Sequence, residues 1–376
     1  MVNVNYFLYL CIANIKSLNT MKPLMSEVLK GTQAALSLAD SCDVTKLREF
    51  LLAEPQKPML FVGNGGMQGH FAAMLYEENA GIALPLTPYM LRSISDEALR
   101  SCRCLLMSDG GHNIDITDAT KRMAKVNPDN TGGFTSVDSP ENILIKKLKP
   151  ENIFLFRRPD NEGFRDGFIS VGKQFFRDAL FYKAFTGKSA AEQMTVDLDP
   201  AHCYSYELNH SEGPLTPLSK IRHILVLHGG KGAPAAHYIE SVLAESGMIS
   251  AQVTDYLNFC HGRFIFASNH TRHDTKKHTL PESDTAVLLL VTPEEEKIAN
   301  NIRKTAPKGD WQVLPNETPV ITIRSEYTDA LSAIDLHVKA SVFLADLGEN
   351  HLGNNPFSPN NFCRVNKKFP KCGLRW

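Results

Sequence analysis

A chain of 376 residues with 40 basic and 41 acidic side chains carries a formal net charge of −1. It therefore lacks the basic footprint expected of a nucleic-acid binder or of a protein held on an anionic membrane. A hydrophobic content of 43% and a charged content of 22% describe a soluble globular protein long enough for two ordinary domains. The eight cysteines are scattered without a CxxC pair and read as reduced core thiols of a cytoplasmic protein.

Taken in chain order, the first stretch, VNYFLYLCIANI, is apolar for about twelve positions, short of the roughly 20 that a span needs. It also lacks the leading basic residues of a signal peptide, since Lys16 follows the run. An over-long start with Met21 or Met25 as initiator, a packed N-terminal helix and a poor signal all fit, the first two better. Residues 25–54 read as a helix or helical pair, closed by Pro55 and Pro58. MLFV (59–62) is a strand buried on both faces, followed by a glycine turn (Gly63, Gly65, Gly66) and an alanine-rich helix. A short strand in GIALPLTPYML, a helix at 94–101, the buried strand CRCLLMS, the turn SDGGHN and the helix IDITDATKRMAK follow. Residues 127–140 read as a loop, 141–148 as a helix, ENIFLFRRP as a strand, and FISVGKQFFRDALFYKAFTGK as a long amphipathic helix ending at Gly187.

Residues 188–220, punctuated by Pro200, Pro214 and Pro217, read as a linker. The order then repeats about 160 residues downstream. HILVLHGGKGAPAAHYIE gives a strand, a glycine turn (Gly229, Gly230, Gly232) and a helix over 234–246. SAQVTDYLNF and TAVLLLVTP are strands, EEEKIANNIRKTA a helix, PVITIRS a strand, and 327–347 a last helix. Alternating strands and helices predict two α/β three-layer domains, each with a mainly parallel five-stranded sheet. The expected boundaries are an N-terminal extension at 1–24, domains at 25–195 and 205–347, and a C-terminal tail at 348–376.

Each glycine turn leaves backbone N–H groups open at a helix N-terminus, a combination suited to a phosphate or another anion. A dinucleotide site is not expected: residues 63–69 spell GxGxxxG, and PLTPY lacks the acidic residue that would bind a ribose. Adjacent parallel strands set the first turn beside Ser108-Asp109-Gly110-Gly111-His112-Asn113. There the Ser108 hydroxyl, the Asn113 amide and backbone N–H groups suit phosphate oxygens. Asp109 would repel such a ligand if it pointed inward, and so is expected to face a sugar hydroxyl or solvent. Lys231 in HGGKG adds charge to the other turn and leaves a second anion pocket open as an alternative. A pair of ordinary tight turns is the bland reading.

FVGNGGMQGHFAA and SDGGHN resemble the phosphate loop and the serine-rich second turn of the sugar isomerase (SIS) domain family in its tandem form. The resemblance runs over about 55–345. Members include aldose–ketose isomerases of amino-sugar phosphates, related deaminases and deglycases, and sugar-phosphate sensors. It implies ligand binding by Gly63, Asn64, Gly65, Gly66, Ser108, Gly111 and Asn113, with no cofactor. NFCHGRF resembles the family's HGP-type turn, which gives His261 the role of ring opener; Glu245, sixteen residues earlier, is the implied enolising base and Glu240 the alternative. This chain departs from the pattern at Gly110, Asn113, Val242 (a lysine in the synthase branch) and Arg263 (the family's proline). Arg263 suits a carboxylate or second phosphate, or else pairs with Asp255 or Asp274. His270, His273, His278 and Asp274 read as a solvated polar loop, and no metal is expected. The expected protein is a cytoplasmic homodimer with active sites near the subunit boundary. Its expected partner is a phosphorylated sugar or amino sugar, handled by proton transfer at C1/C2, with no nucleic acid or membrane partner. The alternative is a non-catalytic sugar-phosphate sensor.

Overall fold

The computed structural model describes residues 24–63, 67–157, 171–210, 213–271, 284–304 and 313–353. The apolar runs form strands as expected, and the first five, β1 (Met59–Gly63), β2 (Ala83–Leu86), β3 (Arg103–Met107), β4 (Thr131–Thr135) and β5 (Ile153–Leu155), make a wholly parallel sheet in the order β2-β1-β3-β4-β5. The second sheet is ordered β6-β10-β9-β7-β8. It comprises β6 (Ser205–Leu208), β7 (His223–His228), β8 (Ser250–Asp255), β9 (Thr285–Val291) and β10 (Pro319–Arg324), with β6 alone antiparallel.

Several elements depart from the expected pattern, among them the helix Phe264–Thr271, which takes in the start of the stretch read as a polar loop, and the helical turn Pro88–Leu91. Residues 131–135, expected as loop, are the strand β4. A Cβ on Gly132 would lie 2.8 Å from the Phe154 ring and 2.9 Å from that of Phe50, so the glycine admits two aromatic rings at the strand surface. The expected linker contains β6 and the helical turns Ala190–Gln193 and Pro200–Cys203; β6 is short and half-exposed at a sheet edge, where polar residues are tolerated.

Of the longer helices, α1 (Thr32–Asp40), α2 (Met67–Asn79) and α3 (Val171–Thr186) cover the inner face of the first sheet, and α4 (Ala233–Ser246) and α5 (Leu331–Asp346) that of the second. Their apolar sides merge into one continuous core running from Met25 to Leu347, with Phe61, Phe181, Tyr238 and Phe343 buried in it. The outer faces carry separate cores, around Leu106 and Met123 on one sheet and Val287 and Ile302 on the other. Local signals stop and start the helices: Gly247, with φ 64°, ends α4, and Asn113 caps α6 (Ile114–Val126). No helix among the described residues is long and apolar enough to cross a membrane.

Candidate ligand site

The parallel register sets Gly63 opposite Met107, so both sequence-predicted turns leave the carboxyl edge of the first sheet side by side. Asn64, Gly65 and Gly66 lie outside the described residues. A Cβ on Gly63 would meet the Met107 carbonyl at 3.4 Å, an ordinary packing contact. Gly69, one turn on, draws α2 against β1: its Cβ would stand 3.3 Å from the Phe61 carbonyl. Two thirteen-residue helices, α2 and α6, thus begin at this edge with their partial positive ends toward it.

The second turn is braced from within. The Gly111 N–H donates to Ser108 Oγ (3.2 Å) and the Asp115 N–H to Asn113 Oδ1 (2.9 Å), so both predicted ligand side chains also hold the turn and its helix cap. Gly111 has φ 63°, and a Cβ there would stand 1.9 Å from Oδ1 of the buried Asn142. Asn142 in turn donates to Thr135 Oγ1 (2.7 Å) and the Val137 carbonyl (3.0 Å) and accepts from the Leu144 N–H (3.1 Å). Asp109 is partly exposed and engaged by other side chains. Its carboxylate turns to Arg177 and Lys173 of α3, the latter at 3.7 Å, and accepts from Ser136 Oγ at 2.8 Å.

The other glycine turn is filled by the protein's own side chains. Glu295 lies where a side chain at Gly229 would begin, 2.0 Å from that hypothetical Cβ. Lys231, the charge expected to favour an anion there, is bound to Glu294 (2.5 Å), the Thr328 carbonyl (2.7 Å) and, at 3.9 Å, Glu78.

Helix α4 carries both candidate bases. Glu78 in the last turn of α2 meets Lys231 just ahead of α4, whereas His70 in the first turn of α2 stacks on His237, well inside α4, at 3.8 Å between ring centroids. The two helices are therefore antiparallel, and the chain beyond His237 carries Glu240, Ser241 and Glu245 toward the edge where α2 begins. Glu245 is exposed and accepts from Ser241 Oγ (3.0 Å). Glu240 stands 3.8 Å from His237 Nδ1 and lines a groove of about 530 Å3 with Arg222 and Ser250. Val242, at the family's lysine position, is buried in the core.

His261 lies elsewhere. It follows the end of β8, with Gly262 at φ 109° kinking the chain, and both it and Arg263 are exposed. Glu245 precedes the start of the same strand, so the pair is separated by the length of β8, roughly 20 Å at six residues. Within one chain the fold gathers Ser108, Gly111 and Asn113 beside Gly63 and keeps His261 and Arg263 on the opposite side of the second sheet. Asp255 caps the helical turn Tyr256–Asn258 through the Asn258 N–H (2.8 Å), while Asp274, His273 and His278 fall outside the described residues.

Sequence reasoning did not single out His70, His237 or Arg177. Burial, with His237 and His228 as neighbours, pushes the His70 pKa down to about 4, and burial also lowers those of His237 and His228. All three rings are then neutral at pH 7. The available signal was an Arg-Asp pair in the otherwise apolar run FFRDALF, which marks a buried charge network.

No family model matches the chain, and no curated protein matches its sequence. Solved structures do match its architecture. Tagatose-6-phosphate ketose/aldose isomerase from Escherichia coli is 14% identical with a TM-score of 0.59, over 92% of this chain and 96% of that one. Glucosamine-6-phosphate deaminase from Thermotoga maritima is 13% identical with a TM-score of 0.59, over 89% and 96%. The C-terminal domain of glucosamine-fructose-6-phosphate aminotransferase from Francisella tularensis is 12% identical with a TM-score of 0.52, over 86% and 94%. The chain has the tandem sugar isomerase (SIS) fold, as the resemblance of its two turns implied.

Proposed function

We propose that the protein binds a phosphorylated sugar or amino sugar at the carboxyl edge of the first sheet and moves a proton between its C1 and C2. In this reading Gly63 to Gly66, Ser108, Gly111 and Asn113 cradle the phosphate against the N-termini of α2 and α6. Glu245 is the base that carries the proton, and Glu240 the alternative. The observation that carries the reading is the antiparallel packing of α2 on α4, which brings the carboxylates of α4 toward the same edge as the glycine turn. A carboxylate beside a bound sugar accepts the C2 proton and returns it to C1, while imidazole moves one between ring oxygen and O1.

His261 stands too far from Glu245 to serve the same sugar within one chain. The reading therefore includes a homodimer in which His261 of one copy opens the ring held by the other, with exposed Arg263 beside it. Isomerisation and removal of an amine both use this proton transfer, and cytoplasmic hexose phosphates supply the substrate class. A thermal-shift screen of hexose 6-phosphates and amino-hexose 6-phosphates tests binding. NMR of a stabilising ligand in deuterated water tests catalysis: deuterium at C1 or C2, lost in Glu245→Gln, is expected. Stabilisation without exchange favours the second reading, a sugar-phosphate sensor. That reading draws support from Ser108 and Asn113 serving the turn itself and from buried Val242 at the lysine position. Stabilisation by none of these ligands would sink both.

A further inference from the structure

Asp109 is an unexpected residue between the two groups read as phosphate ligands, because a carboxylate there opposes an anion. Its surroundings hold it in one orientation. The Asp109 carbonyl accepts from Thr135 Oγ1 (2.5 Å), the Val137 N–H (3.2 Å) and the Ser136 N–H (3.4 Å), which fixes the backbone. Its carboxylate accepts from Ser136 Oγ and is paired with the Arg177 guanidinium, with Lys173 Nζ at 3.7 Å.

Arg177 is 7% exposed, and a buried guanidinium is tolerated only when it is paired. The next residue, Asp178, is 1% exposed and bound to Nδ1 of the equally buried His337 on α5 at 2.8 Å. The cation is thus anchored in the core where α3 meets the second half of the molecule, and only its tip reaches the turn. Burial lowers the Arg177 pKa to about 10, so it remains charged at neutral pH.

We infer that Arg177 is a positioning residue: it holds and neutralises the Asp109 carboxylate, which leaves the backbone N–H groups of that turn able to donate to a phosphate. The inference rests on the proposed function, and it concerns ligand affinity rather than chemistry. The test is isothermal titration with inorganic phosphate of wild type, Arg177→Met, Asp109→Asn and the double variant, with folding checked by circular dichroism. Arg177→Met leaves the Asp109 carboxylate without its buried partner, with Lys173 and Ser136 still beside it, and is expected to weaken phosphate binding at least tenfold. Adding Asp109→Asn is expected to restore affinity to within threefold of wild type, although it replaces none of the packing that Arg177 provided.

Unchanged affinity in Arg177→Met, or a loss that Asp109→Asn does not rescue, overturns the inference. Where Arg177→Met does not fold, Arg177→Gln takes its place in the same cycle. If that fails too, Asp109→Asn decides alone: affinity within threefold of wild type is expected, whereas tenfold tighter binding would show the carboxylate already opposing the anion. Absence of phosphate binding by wild type is a different failure, since it removes the proposed function together with this inference.

Discussion

The turn after β3 and the turn after β7 both lead from a buried strand through glycines into a helix, and their charged side chains are engaged in different ways. At the first, Asp109 is drawn off by Arg177 and Lys173, and two long helices begin at the same edge. At the second, Glu295 packs against Gly229, and Lys231 is engaged by Glu294 and Glu78. A strand, a glycine turn and a helix therefore create an opportunity for an anion, and the neighbouring acidic side chains decide whether it survives. The turn after β7 is closed by the protein's own charges.

The largest effect is expected at Glu245, where Glu245→Gln should slow C1/C2 deuterium exchange by about two to four orders of magnitude with little change in ligand affinity. Exchange at the wild-type rate would move the chemistry to Glu240 or elsewhere. Next is Gly111→Ala, which puts a side chain at φ 63° against Asn142 and should destabilise the fold by about 2–4 kcal/mol in urea unfolding. Gly230→Ala, with nothing within 4 Å of its Cβ, should cost far less, and equal costs would contradict the contrast between the turns.

Acid should act through the seam between α2 and α4. The folded pKa of His70 is about 4 against the usual value near 6.5. The unfolded chain therefore binds the proton more readily, and this contribution is complete above about pH 6.5 and lost as pH falls toward 4. The ceiling is about 3 kcal/mol, and His70→Gln should flatten the slope of stability between pH 7 and 4.5. A smaller effect is expected for Ser108→Ala, about 1 kcal/mol of phosphosugar affinity in a titration. Smallest of all is Lys231→Met, which should leave that affinity within twofold because its ammonium serves carboxylates; a large loss would reopen the second turn as a site.

Most of the fold was legible because the inner strands are apolar runs between glycine or proline turns. That pattern failed at β4, where Gly132 and Gly133 leave space for Phe50, Phe154 and Leu148, and at β6, whose edge position needs no apolar run. In the site, the positions of the two turns of the first sheet were readable from the strand ends, whereas Glu245 as candidate base came from the family resemblance alone. The states of Asp109 and Lys231 were not, since each is set by residues far along the chain: Arg177 for the one, Glu294 and Glu78 for the other. The separation of His261 from Glu245 follows from β8 running between them, a distance that a sixteen-residue spacing conceals.

The most direct measurement is hydrogen–deuterium exchange of the backbone with and without fructose 6-phosphate, read segment by segment by mass spectrometry. Slower exchange in 59–79 and 108–126 with 223–236 unaffected is the predicted result. Protection confined to 223–236 would contradict the account, because it would place the anion in the turn that Glu295 and Glu294 close.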